Sequence, residues 1–209
     1  MAVSTALDAV RLGSSEVAAL YLGSDSVWTA NAPGMVLVSP TSITHSGTSA
    51  TLGANGQVTF TGVTSLSLNG VFSAGFDNYV LSIRYDLSSD NDIYMRLRVS
   101  GSDNSTANSY VAQQLDASST SVNAARLTSN QFQPFSGGGT TENGLITMIY
   151  GPFLVQPTAM RSANVASVSS AFLRDVAGTH NQSTSYDGIT IYPASANMTG
   201  TLQVYGVRS

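Results

Sequence analysis

The stretch Tyr79-Val80-Leu81-Ser82-Ile83-Arg84-Tyr85-Asp86, then Leu87-Ser88-Ser89-Asp90-Asn91-Asp92, then Ile93-Tyr94-Met95-Arg96-Leu97-Arg98-Val99-Ser100, decides the fold class. In an extended chain successive side chains point to opposite faces. A period of two therefore sorts Tyr79, Leu81, Ile83 and Tyr85 from Val80, Ser82 and Arg84. The same period sorts Ile93, Met95, Leu97 and Val99 from Tyr94, Arg96 and Arg98. Six turn-forming residues between the two runs predict an antiparallel hairpin.

Working outward, similar signals predict strands at 35–38, 57–60, 65–72, 110–115, 145–150, 165–173, 188–192 and 201–207. The closing pair, with Pro193 to Gly200 as its turn, reads as a second hairpin. A turn of helix is expected near 121–129. Gly137-Gly138-Gly139-Thr140 reads as a mobile loop, since no Lys follows and no strand–turn–helix context makes it a phosphate loop. Short strands with Gly-, Asn- and Ser-rich connections and no convincing amphipathic helix predict an all-β, antiparallel β-sandwich of jelly-roll type.

Ahead of it lies an extended N-terminal β-arm built on a ten-residue repeat. Val10-Arg11-Leu12-Gly13-Ser14-Ser15-Glu16-Val17-Ala18-Ala19 aligns with Leu20-Tyr21-Leu22-Gly23-Ser24-Asp25-Ser26-Val27-Trp28-Thr29. Some thirty residues fall below the ~40 at which a lone core usually holds, so this segment needs a partner. Leu12, Val17, Leu22, Val27 and Trp28 are its expected anchoring residues. Asn31-Ala32-Pro33-Gly34 breaks the pattern. The expected division is 1–32 as docking arm, 33–62 as connecting β segment and 63–209 as β-sandwich.

Charged residues are 10% of the 209-residue chain against a usual ~25%. Its polar surface must be built from Ser, Thr, Asn and Gly. Lysine is absent, all eight cationic residues are Arg, and the net charge is −4. No basic block could track phosphates, which argues against nucleic-acid binding. With no cysteine, disulfides, thiolate zinc sites and thiol nucleophiles are excluded. Neither a basic, apolar leader nor a run of ~18 apolar residues is present, so a soluble chain made in the cytoplasm without membrane insertion is expected.

Catalytic signals are weak. His45 and His180 sit among polar residues, and no Gly-x-Ser-x-Gly elbow accompanies Asp187. Asp86, Asp90 and Asp92 lack the spacing of a calcium loop and read as a solvated tip. No catalytic residue, metal or cofactor is therefore expected. Aromatics and arginines remain: Tyr94, Arg96 and Arg98 lie on one strand face, and Tyr110, Tyr186 and Tyr192 fall near loops or strand ends. Tyr stacks on sugar rings and Arg grips carboxylates, so Tyr94, Arg96, Arg98, Tyr110 and Tyr186 are the candidate contacts to a glycan. The bland alternative is that they cover a sheet face or a subunit interface. Loops 88–92, 102–109, 137–143 and 180–185 are the candidate outward-facing segments.

Two zones carry a family resemblance. One is Val71-Phe72-Ser73-Ala74-Gly75-Phe76-Asp77-Asn78-Tyr79-Val80-Leu81-Ser82-Ile83-Arg84 with Met95-Arg96-Leu97-Arg98-Val99-Ser100-Gly101. The other is Tyr186-Asp187-Gly188-Ile189-Thr190-Ile191-Tyr192-Pro193 with Thr199-Gly200-Thr201-Leu202-Gln203-Val204-Tyr205-Gly206-Val207-Arg208. Together they resemble bacteriophage virion surface proteins of the tail-fibre and short-fibre type, baseplate or head fibres included. "Leu-Gly-Ser-x-x-Val-Trp" strings like that at Leu22 to Trp28 also recur in phage structural proteins.

The resemblance implies a virion structural protein, usually a homotrimer. It would be a short tail fibre or similar appendage, mounted on baseplate, tail or capsid proteins and presenting its sandwich to a host-surface glycan. The alternative is a capsid decoration, head-fibre or fibre-anchoring subunit with no receptor. Asp77, Gly188 and Gly200 are expected to fix backbone turns.

Overall fold

A computed structural model describes residues 10–12, 15–17, 19–22, 24–29, 34–118, 120–138, 140–166 and 172–208. The chain divides into two compact units, Met1–Gly34 with Arg208–Ser209, and Met35–Val207. In the smaller unit β1 (Val10–Leu12) pairs with β2 (Ser15–Val17), and β3 (Ala19–Leu22) pairs with β4 (Asp25–Thr29), both antiparallel. Each copy of the ten-residue repeat thus forms one two-stranded hairpin. Leu22 is exposed. The side chains of Leu12, Val17, Val27 and Trp28 lie outside the described residues.

The larger unit contains β5 (Gly34–Val38), β6 (Ser42–Leu52), β7 (Val58–Asn69), β8 (Asn78–Leu87), β9 (Asn91–Val99), β10 (Ser102–Asp103) and β11 (Tyr110–Ser118). It continues with β12 (Ser121–Ser129), β13 (Phe132–Gly138), β14 (Asn143–Tyr150), β15 (Thr158–Ala166), β16 (Phe172–His180), β17 (Gly188–Pro193) and β18 (Met198–Arg208). Among the described residues there is no helix. The fold is all-β, as the alternation predicts. The stretch 33–62, expected as a connector, supplies β5, β6 and half of β7 to this unit.

All fourteen strands join one sheet: eleven follow the order β10-β9-β17-β7-β18-β8-β14-β15-β16-β11-β12, and off this path β13 pairs with β9, β5 with β18 and β6 with β7. The sheet curls until its ends face one another. The Leu97 amide of β9 donates to the Tyr110 hydroxyl of β11 at 2.9 Å, and the Thr147 hydroxyl of β14 lies 4.0 Å from the Met95 sulfur of β9. One layer is β6-β7-β17-β9-β13; the other is β18-β8-β14-β15-β16-β11-β12. A single buried cluster fills the space between them, including Leu66, Leu68, Leu81, Ile83, Met95, Leu97, Ile149, Ile189, Ile191 and Val204.

The side-chain alternation on β8 and β9 is as read, but the predicted hairpin is absent. β8 pairs with β18 and β14, whereas β9 pairs with β17, β10 and β13. Both strands bury one apolar face, and facing strands of two layers satisfy that demand as well as paired neighbours do. The connecting loop crosses between layers and is tied to the 194–197 turn: the Ser88 amide donates to the Asn197 carbonyl, and the Asn197 amide to the Ser88 hydroxyl, each at 2.9 Å.

The closing hairpin is corrected in the same way. β17 and β18 do not pair; both run along the same edge of β7, Ile189 opposite Leu68 and Leu202 opposite Val58. The Pro193–Asn197 turn makes a jog, after which the outer edge changes partner from β9 to β8.

Four smaller readings change. The 57–60 and 65–72 signals belong to one strand, β7. Residues 121–129 form β12 instead of a helical turn, and Gly137 and Gly138 belong to β13 instead of a loop. The expected strand 165–173 is replaced by the end of β15 and the start of β16; residues 167–171 lie outside the described residues.

The resemblance motif around Asp77 has a packing basis. Phe72 and Phe76 contact Tyr79 with ring centroids 4.8 and 5.9 Å away, and the Tyr79 hydroxyl donates to the Ser73 carbonyl at 2.9 Å while accepting from the Ser73 amide at 2.7 Å. Three aromatics thereby close the turn that launches β8.

Candidate interaction surfaces

Of the five residues expected to touch a receptor, three are buried. Tyr110 and Tyr186 flank His180, with ring centroids 4.2 and 5.2 Å from the imidazole. The Tyr110 hydroxyl donates to the Asn104 carbonyl at 3.1 Å, and Asn104 Nδ2 donates to the Tyr186 hydroxyl at 2.8 Å. Burial raises the pKa of both phenols. This trio anchors the 102–109 and 181–187 loops to the core, and neither Tyr can stack on an external ligand. Position near a loop is visible in sequence; the direction of the ring is set by packing.

Arg98 is also buried. Its guanidinium donates to Ser67 Oγ at 3.0 Å, Thr190 Oγ1 at 2.6 Å and Asn69 Oδ1 at 3.1 Å, and further to Asp103 Oδ1 and the Gly101 carbonyl. Arg98 thus joins β7, β9, β10 and β17, which is structural work for a charge that must be paired once desolvated.

Tyr94 and Arg96 remain half-buried on the outer face of β9, beside Tyr192 on β17. The Tyr94 and Tyr192 rings lie 5.7 Å apart, and the Arg96 guanidinium sits 5.2 Å from the Tyr192 centroid. Gln131 Oε1 accepts from the Tyr192 hydroxyl at 2.6 Å and from Arg96 at 3.1 Å. Desolvation pushes the Tyr192 phenol up to about 12 and also raises that of Tyr94. The ring pair offers an aromatic surface beside a fixed cation and a band of Ser, Thr and Asn. Tyr192, noted in sequence only as an aromatic near a strand end, and Gln131 lie outside the five expected contacts, because their alignment with Tyr94 and Arg96 depends on which strands become neighbours.

A second surface has different chemistry. On the outer face of β14, β15, β16, β11 and β12, the register places Gly144, Val165, Leu173, Ala117 and Val122 in one row. Ile146, Ala163, Asp175, Leu115 and Ala124 form the next. The third is Met148, Arg161, Ala177, Gln113 and Arg126. Leu115, Val122, Ile146, Met148, Val165 and Leu173 are each between 39% and 71% exposed. Gly144, having no side chain, floors a shallow groove of about 510 Å³ between Arg84, Ile146 and Val165. A sequence signal for this face exists in Leu145-Ile146-Thr147-Met148-Ile149, where apolar side chains occupy both faces of a strand.

For chemistry the arrangement offers little. His45 lies on β6, far along the chain from His180, whose Nδ1 accepts from the Gln182 amide at 3.2 Å. Among the described residues no group of three or more His, Cys, Asp or Glu gathers to hold a metal ion. Asp92 accepts from the Tyr94 hydroxyl at 3.2 Å. Also among the described residues, no helix is long and apolar enough to cross a membrane.

No family model matches the chain, and no curated protein matches it. Among solved structures it is similar to a seed lectin isoform of Lotus tetragonolobus, at 9% identity and a TM-score of 0.26, over 81% of this chain and 99% of the lectin. So distant a likeness bears on neither ligand nor role.

Proposed function

We propose that this chain is a non-catalytic structural protein of a bacteriophage particle, a short tail fibre or fibre-like appendage. In this reading the 1–34 unit mounts it on other virion proteins, the larger β unit assembles with sister chains, as a homotrimer by resemblance, and a face is turned toward the host-cell surface. The resemblance in the Val71–Gly101 and Tyr186–Arg208 zones supplies the virion assignment. The observation that supports attachment is the cluster in which Tyr94 and Arg96, the half-buried members of the expected contact set, meet Tyr192. A pyranose ring could lie against Tyr192 and Tyr94, with Arg96 taking a carboxylate. The second reading, a decoration or fibre-anchoring subunit without a receptor, draws on the exposed apolar face, since such faces mark subunit contacts.

Purified particles decide between these readings. The chain should be detected in them by mass spectrometry and located by electron microscopy at a tail tip or fibre. Tyr192→Ala with Arg96→Ala should reduce adsorption to host cells roughly tenfold, with unchanged particle yield, because weak sites repeated around a particle act through avidity. Unchanged adsorption would favour the anchoring reading. Absence from the particle would remove both.

A further inference from the structure

The outer face of β14, β15, β16, β11 and β12 is an apolar surface of the larger unit that the proposed glycan contact does not use. We infer that it is the surface on which a second copy of this chain docks, sheet face against sheet face; like meeting like closes a two-fold pair, so this inference keeps the self-association of the proposed function but replaces the three-fold count taken from resemblance.

Three observations carry this. The first is extent. At their stated exposures the six large apolar side chains show on the order of 600 Å², the upper end of what a lone domain's largest patch presents and close to the ~800 Å² per partner of a standard interface. The second is regularity. The four ladders joining these strands contain no register shift. The apolar rows thus form an unbroken lattice that a like lattice can meet at ~10 Å, the spacing of packed sheets.

The third observation is charge. Arg161 donates to Asp175 at 3.2 and 2.7 Å within the face, and Arg84 donates to Glu142 at 2.5 Å on its rim. With these pairs internally balanced and Arg126 at a corner, the face has almost no net field. A strongly charged partner finds nothing to complement. A copy of the same face meets matching apolar rows without like-charge repulsion. Among the described residues β12 pairs only with β11, and Val122 at its margin is the most exposed of the six.

The test uses the full chain. Light scattering after size exclusion at micromolar concentration should give twice the chain mass. Leu115→Asp with Val165→Asp should bring it to the mass of one chain with an unchanged circular dichroism spectrum. Tyr94→Ala, on the other layer, should leave it unchanged.

Should the double variant fail to fold, the absence of cysteine provides a second measurement. Leu173→Cys in the otherwise native chain should react with a maleimide at least roughly tenfold more slowly than exposed Ser49→Cys, and should speed up on dilution as mass action requires. A single-chain mass for the native protein overturns the inference, even with a protected thiol. An unchanged mass in a folded double variant, or a Leu173→Cys thiol as reactive as Ser49→Cys, also overturns it. These results are independent of the particle experiments: a monomer in solution leaves the virion reading standing, and absence from particles leaves the interface standing.

Discussion

His180 illustrates how packing changes the meaning of a residue. In sequence it stands among polar neighbours and resembles an exposed acid–base group. In the fold it is wholly buried between Tyr110 and Tyr186, and burial lowers its pKa from 6.5 to about 4. The folded chain refuses a proton that the unfolded chain accepts. Its contribution to stability is therefore complete above ~6.5 and declines as pH falls toward 4, a loss on the order of 3 kcal/mol once the imidazole is forced to charge. Urea titrations at pH 7, 6 and 5 should give a falling midpoint, and His180→Gln should remove most of that fall. If the variant keeps the slope, the burial account of His180 is wrong. Arg98 follows the same logic, for its five acceptors come from three other strands and a loop carbonyl that sequence spacing does not bring together.

At the level of elements, the glycines expected to fix turns serve instead as points of close approach between strands. A Cβ on Gly200 would stand 2.1 Å from the Arg84 carbonyl oxygen and 2.8 Å from Tyr85 Cα, both backbone atoms of the neighbouring β8. Gly188 on β17 approaches the Leu68 carbonyl of β7 equally tightly, at 2.4 Å. Gly200→Ala should destabilise the fold by about 1–3 kcal/mol, the usual cost of overpacking, because backbone cannot move aside as a side chain can. Thr201→Ala, one residue on, should cost less. Equal denaturation midpoints for the two variants would show that β8 and β18 have room to separate. Alternation marked most of the buried strands because a half-buried strand sorts its residues by face. It missed β6, whose surface is mostly exposed, and blurred β15 and β16, whose inner face buries Asn164, Arg174 and Ser162. On β16 the buried charge is held by Asp116 of β11, to which Arg174 donates at 2.5 and 2.8 Å.

For the whole molecule, the apolar cluster from Val58 to Val204 lies entirely within the 35–207 unit. Removing residues 1–33 should leave a cooperative β domain whose melting midpoint moves by no more than about 3 °C, the shift that ~1 kcal/mol makes at this size. Under the proposed function the truncated chain should not enter particles. Loss of cooperative melting would show that the small unit belongs to the core. The alternating runs by themselves determined the all-β class and the inward residues of β8, β17, β18 and, as far as Leu97, β9, because each depends on neighbours within a few positions. Only the tertiary structure decided that β8 and β9 join different partners instead of each other, that β17 and β18 share an edge of β7, that Tyr110, Tyr186 and Arg98 are buried, and that six apolar side chains of five strands meet on one outer face. A period of two tells which residues share a face of their own strand. It carries no information on which strand lies beside it, and every surface of this protein is assembled from that choice.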